Sequence, residues 1–359
     1  MESRKAKHLT ICTNPQKYSV EGKSPHFEGI HLVHQPLPEI NEAEIDTSLE
    51  FLGSRIELPM FISCMTVGSE GGFEANKNLA RAAEQLGIPV GLGSVRVLFD
   101  HPELFHHFHI KQFAPSVPVL ANLGSVQVRD RSRSQIIDLI EWLEVQSLVV
   151  HLNPGQEMFQ PEGDRDFRGL KEALAGLIEA SPVPIIVKET GFGIPLPLIQ
   201  ELISLGIAYV DIAGSGGTNW ISVESYRGPD EMQQPAAEFD DWGLPTSLIL
   251  ASLARTDLRG SGSILASGGL RSGMDIVKSL VLGAEMAGMA LPFIREERAN
   301  GTEGVIRLVE ELKSTLRSAM LLTGSHDLEA LRQQLYWLDG EFSRTVESFA
   351  ATMGLGVWV

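Results

Sequence analysis

The amino-acid sequence predicts an α/β protein built as a (β/α)8 TIM barrel, carrying an N-terminal extension and a C-terminal helical extension. Two observations point there. From about residue 58, eight short apolar runs alternate with longer segments of helical period. No G-x-G-x-x-G turn follows the first run, where an open dinucleotide-binding sheet would place one.

The strand candidates are PMFISC (59–64), PVGL (89–92), PVLANLG (118–124), SLVVHLN (147–153), PIIVKE (184–189), AYVDIAG (208–214), SILASGG (263–269) and EMAGMA (285–290). They are apolar almost throughout, as parallel strands must be when helices cover them. Helical patterns are expected after each, for example over 76–87, 133–145 and 273–283. Residues 1–57 precede the barrel, 58–320 form it, and 321–359 add helical pattern. The stretch 214–246 separates strand six from its helix. It is long, polar and rich in Gly and Pro, so it is expected to be a lid or partly disordered.

The 359 residues are 43% hydrophobic and 21% charged, which suits a large core and excludes a disordered chain. Cys12 and Cys64 are the two cysteines, too few for a disulfide framework and in keeping with a reducing cytoplasm. The start, MESRKAKHLTICTNP, is charged and lacks the apolar stretch of a secretory signal. The longest apolar run, 279–294, is interrupted by Glu285 and is too short to span a membrane. A cytoplasmic protein with no membrane partner is expected. The net charge of −17 disfavours nucleic acid as a partner. It also requires that any phosphate-bearing ligand be held by chosen cations, helix N-termini or a metal.

In such barrels the active site lies at the C-terminal ends of the strands, and there the unusual residues collect. They are Met65 and Thr66 after strand one, Ser94 after strand two and Asn122 in strand three. His151, Asn153, Gln156 and Glu157 follow strand four, and Lys188 and Glu189 end strand five. Asp211 and Thr218 belong to strand six and its loop, and Gly268, Gly269 and Arg271 follow strand seven. The loop HLNPGQEMFQPEGDRDF (151–167) begins its polar cluster inside an apolar run, which solvation alone does not explain. In ASGGLRSG (266–273), glycines would let backbone N–H groups approach a phosphate that Arg271 could pair with. Two tight rim loops are the plainer alternative. Lys188 ends a buried strand, where an unpaired ammonium is costly. Either Glu189 or Asp211 pairs with it, or its charge faces an electron-rich ring such as a reduced flavin.

RKAKH (4–8), LPEI (37–40), CMTVG (64–68), GSVR (93–96), ANLG (121–124) and the 151–167 loop occur in order. VKETGFGI (187–194), DIAGSGGTNW (211–220), DWGLPT (241–246) and ASGGLRSGMDIVKSLVLGA (266–284) complete the set. Together they closely resemble the type 2 isopentenyl diphosphate isomerases, FMN-dependent barrel enzymes, over nearly the whole chain. The resemblance implies interconversion of isopentenyl and dimethylallyl diphosphate, with FMN kept reduced by NADPH or another reductant, Mg²⁺ on the diphosphate, and a homo-oligomer of four or more chains. It places FMN against Cys64, Met65, Thr66, Ser94, Asn122, Lys188 and Thr218, with its phosphate near Gly268, Gly269, Arg271, Ala290 and Leu291. The diphosphate falls to Arg4, Lys5, Ser94, Arg96, His151 and Asn153, Gln156 lies beside the substrate, and Glu157 holds Mg²⁺. Asp164, Arg165 and Asp166 are expected to form loop-fixing ion pairs.

Protonating an unactivated alkene gives a tertiary cation, a task for which ordinary side chains are weak acids. The expectation is that reduced FMN exchanges the proton without net redox change. Lys188 would tune the ring, His151 would serve the catalytic platform, and Gln156 and the lid would limit attack by water. The sequence departs from the family at Val67, where a second glycine is usual, at Val95, usually glutamine, and at Cys64, usually alanine. A valine at 95 cannot hydrogen-bond phosphate. Two rivals stand beside this reading. An FMN-dependent 2-hydroxy acid oxidase on the same barrel needs a strand-end base, and no histidine lies between Ala208 and the end of strand seven. A flavin-binding paralogue without isomerase activity would not need Arg4, Lys5, His151, Gln156 and Glu157.

Overall fold

The apolar runs become the staves of a closed barrel because each has both faces to bury. In a computed structural model describing residues 4–21, 24–65 and 70–354, eight parallel strands pair in sequence order and the last closes onto the first. They are β1 (Met60–Ile62), β2 (Val90–Ser94), β3 (Val119–Gly124), β4 (Ser147–His151), β5 (Ile185–Lys188), β6 (Tyr209–Asp211), β7 (Ile264–Ala266) and β8 (Met286–Met289). Each overlaps the run predicted for it. The helices begin where the sequence signals them. Ser132 starts Arg133–Leu143 and Ser272 starts Gly273–Val281, both through capping boxes in which Gln135 and Asp275 answer the cap.

Two parts of the chain differ from the sequence expectation. After β2 no α-helix forms; three short 3-10 segments, Val95–Phe99, Pro102–His107 and Ile110–Gln112, stand in its place. Valines, aromatics and Pro102 make this stretch a poor α-helix former. The C-terminal extension is not wholly helical: Tyr336–Leu338 pairs antiparallel with Ile30–Leu32, and His31 stacks on Trp337 at 4.1 Å. The segment 214–246 carries the helices Trp220–Arg227 and Gln233–Ala237. Asn219 caps the first of these by accepting from the backbone of Ile221 and Ser222.

The barrel lumen is filled from below. Phe61, Leu120, Val149, Ile186, Leu265 and Met286 point inward from the strands and meet Phe51 and Ile56 of a hairpin (Leu49–Phe51 with Ser54–Ile56). Leu52 and Gly53, both at positive φ, make its turn. No helix among the described residues is long and apolar enough to cross a membrane.

Candidate active site

Side chains alternate along a strand, so residues two positions beyond the apolar lumen layer face the same way, one layer higher. That layer carries Ser63, Asn122, His151, Lys188, Asp211 and Ser267, so polarity replaces hydrocarbon within one step. The register holds them side by side: Ser94 lies opposite Asn122, His151 opposite Lys188, and Lys188 opposite Asp211.

Lys188 is buried, and its Nζ donates to the Glu189 carbonyl at 2.7 Å. Neither carboxylate proposed as its structural partner forms an ion pair with it. Glu189 turns outward to accept from the N–H groups of Gly191 (2.6 Å) and Phe192 (2.5 Å). Asp211 accepts from the Ser267 hydroxyl at 2.7 Å. Burial pushes both acids upward, Glu189 to about 7, against the hydrogen bonds and the Lys188 charge that favour their ionised forms.

His151 Nδ1 lies 2.9 Å from Asn122 Oδ1. Burial, reinforced by the Lys188 charge, pushes this imidazole down to about 3. The ring is therefore neutral, with its N–H given to Asn122 and the bare Nε2 left as an acceptor. Such a ring has no N–H to offer at Nε2 unless it takes up a proton. Asn153 Nδ2 donates to Glu157 Oε1 at 2.9 Å and to Gln156 Oε1 at 3.2 Å. Its amide hydrogens hold two neighbouring side chains.

Glu157 lies in the helix Pro154–Phe159 and is buried. Oε1 accepts from Asn153, and Oε2 accepts from the Asp164 N–H at 2.9 Å. Arg165 does not form the predicted ion pair; its guanidinium donates to the carbonyls of Glu157, Gln160 and Asp164. Asp166 does pair with Arg168, at 2.6 Å. Gln156 donates through Nε2 to Glu224 at 2.9 Å.

Glu224, in the 214–246 segment, was not singled out from the sequence. It is fully buried, 2.9 Å from His8 Nε2 and 2.7 Å from Arg227 Nε. Burial alone would raise its pKa, yet the close contact with His8 and hydrogen bonds from Gln156 and Arg227 hold it below the usual range. Trp220, edge-on to His8 with ring centres 5.4 Å apart, completes this wall. A buried carboxylate thus backs the wall of the site from a helix, 68 residues beyond Gln156.

On the opposite side the loops after β6 and β7 lie against each other with no side chain between. Gly268 and Gly269 have φ of +94° and +82°, and a Cβ on Gly269 would sit 2.8 Å from the Gly216 backbone. Gly269→Ala is therefore expected to lower stability by about 1–3 kcal/mol in urea unfolding and to weaken FMN binding. Arg271 stands at this end and is shared with Glu21, whose carboxylate also meets Arg295 at 2.7 Å. The long helix from Leu291 begins beside it, with Ala290 as its N-cap.

Two adjoining cavities result, of about 540 and 720 Å³ with the open space at their mouths included. The first is lined by Met65, Thr218, the 267–271 loop and Ala290-Leu291; the second by Ser94, Arg96, Asn122, His151, Asn153, Gln156 and Glu157. Cys64, Met65, Thr190, Lys188 and Trp220 belong to both. Thr66 and Val67 lie outside the described residues, as do the side chains of Arg4 and Lys5, whose backbones open the helix Arg4–Thr13. Val95 points away into the core and lines neither cavity. The glycine-lined first cavity fits FMN on two counts: side-chain-free backbone lies beside Arg271 and a helix start, and the buried Thr190 Oγ1 has no partner among the described residues.

A model of the FMN-dependent dehydrogenases matches residues 13–98 and 241–338. The isopentenyl-diphosphate delta-isomerase of Borrelia garinii subsp. bavariensis is 41% identical over 334 residues, covering 93% of this chain and 92% of that protein. That of Thermococcus kodakarensis is 39% identical over 342 residues, covering 92% and 89%. Among solved structures, a flavocytochrome b2 variant with pyruvate bound superposes with a TM-score of 0.68 at 19% identity, covering 98% of this chain and 86% of that one. A mandelate oxidase variant with a monooxide FMN adduct gives 0.60 at 19% identity, covering 94% and 93%. These two likenesses concern the fold. The barrel is that of the FMN-dependent dehydrogenases, and the chain belongs to the isopentenyl-diphosphate delta-isomerase family.

Proposed function

We propose that this protein interconverts isopentenyl and dimethylallyl diphosphate, with FMN and Mg²⁺ bound and NADPH as the reductant. The observation that carries the proposal is the junction of the two cavities at Lys188, with a phosphate cradle beyond one and a carboxylate and cation wall around the other. Bound in the first cavity, reduced FMN would supply an electron-rich ring beside the reacting carbons. Lys188 would present its ammonium group to that ring. Ser94, Arg96 and His151 receive the diphosphate, joined by Arg4 and Lys5 from the N-terminal helix. Gln156, held between Asn153 and Glu224, and the Trp220 ring keep the carbon chain in place and water away from developing positive charge.

Mg²⁺ keeps several waters and takes one or two carboxylates beside substrate phosphates. Glu157 suits this role, each oxygen accepting one hydrogen bond and retaining a free lone pair. No cluster of three or more acidic, His or Cys ligands occurs among the described residues, so the metal is expected to arrive with the diphosphate. We also propose a cytoplasmic homo-oligomer of four or more chains, a state that sedimentation velocity measures.

A neutral His151 can donate to phosphate only after protonation. Diphosphate binding at pH 7 is therefore expected to take up about one proton. Calorimetry in buffers of different ionisation enthalpy reads this, and His151→Gln should abolish it. Uptake unchanged in that variant removes His151 from the phosphate.

The activity itself is tested anaerobically with FMN, NADPH, Mg²⁺ and isopentenyl diphosphate in D₂O. Solvent deuterium should enter dimethylallyl diphosphate; absence of turnover rejects the isomerase reading, and turnover without label rejects exchange with solvent.

A further inference from the structure

Thr190 lies two residues beyond Lys188, just past the end of β5, and lines both cavities. Its backbone N–H is directed to the Glu189 carboxylate. Its hydroxyl behaves differently: Oγ1 is buried and has no hydrogen-bond partner among the described residues. A buried hydroxyl without a partner forfeits its hydration with nothing in return, and folded proteins keep few of them. Valine would fill the same volume without that cost. The hydroxyl is therefore intelligible as a contact for a bound molecule.

The five residues common to the two cavities offer mostly soft or apolar surface: Cys64, Met65 and the Trp220 ring. Lys188 and Thr190 contribute polar tips on the same strand end. A prenyl chain has no atom that can hydrogen-bond to a hydroxyl, and its diphosphate faces Arg96, His151 and Glu157. A flavin ring carries nitrogens and carbonyl oxygens around its edge.

We propose that the Thr190 hydroxyl hydrogen-bonds a ring nitrogen or oxygen of bound FMN, as a second polar contact beside Lys188. The inference rests on the reading that the first cavity takes FMN and does not depend on the isomerisation. Thr190 is thus a cofactor-positioning residue. The side chain that discriminates is the hydroxyl, so Thr190→Val and Thr190→Ser separate polarity from volume.

The test titrates FMN into the flavin-free full chain and its variants, following visible absorption. Thr190→Val is expected to bind FMN about 3–10-fold more weakly and to shift the flavin absorption bands, the loss of one ordinary hydrogen bond. Thr190→Ser should keep the parent affinity and spectrum. Should the valine variant fail to fold, Thr190→Ala serves in its place. Parent-like FMN affinity and spectrum in a folded valine variant overturn the proposal. So does a variant unchanged toward FMN but weakened toward isopentenyl diphosphate, which would assign the hydroxyl to the substrate. A parent protein that binds FMN as described yet turns over no isopentenyl diphosphate would sink the proposed activity and leave this contact standing.

Discussion

Lys188→Ala is expected to lower turnover about 10²–10³-fold at saturating FMN, the usual loss when one preorganised charged donor is removed from a reacting centre. Several groups around the lysine register its charge: His151 is depressed by it, and Asp211, Glu189 and Cys64 are drawn toward their ionised forms. It forms no ion pair among the described residues, so its charge is free to act on a ligand. Truncation leaves two buried acids without their common cation, and their proton affinity should rise further. Anaerobic steady-state kinetics give the turnover, and an FMN titration separates lost binding from lost rate. A variant within threefold of the parent in turnover, with FMN bound, would show that the lysine is structural.

Glu157→Gln is expected to raise the Mg²⁺ concentration needed for diphosphate binding by about 10²-fold or more, since even supporting partners of a metal commonly cost 10–100-fold. FMN affinity should be unaffected, because Glu157 lines only the second cavity of the two. The change is not innocent structurally. The carboxylate accepts from Asn153 on one oxygen and from the Asp164 N–H on the other, and an amide can satisfy only one of these donors. Some loosening of the 157–165 loop is therefore expected and should appear as weaker binding without metal. The diagnostic quantity is the Mg²⁺ dependence, read by calorimetry with isopentenyl diphosphate at several metal concentrations. An unchanged requirement would mean the ion sits elsewhere.

The barrel was largely legible because parallel strands covered on both faces read as unbroken apolar runs, and each of the eight runs overlaps an observed strand. The site could be placed at one rim because polarity begins at fixed points in those runs, as at Asn122, His151 and Lys188. What could not be read depended on contacts distant in sequence. Glu224 sits in a segment without clear period, and its partners His8 and Gln156 lie in two other parts of the chain. Three-residue strands such as Ile30–Leu32 and Tyr336–Leu338 are too short to leave an alternation. The direction of a hydrogen bond is also invisible in a motif. HLN names a histidine and an asparagine at a strand end, but their tautomer and amide orientation follow from Asn122 and Glu157. Val95 shows the reverse case: its place in the motif suggests a ligand contact, yet it is packed in the core and lines neither cavity.

One stretch near the N-terminus reaches both ends of the rim. His8 meets Glu224 beside Gln156, while Glu21, thirteen positions later, grips Arg271 and Arg295 near the glycine loops. A single tether therefore braces both sites, and any ordering that one guest imposes on it is ordering the other need not supply. Thermodynamic linkage makes the benefit mutual: the factor by which flavin tightens the diphosphate must equal the factor by which the diphosphate tightens flavin.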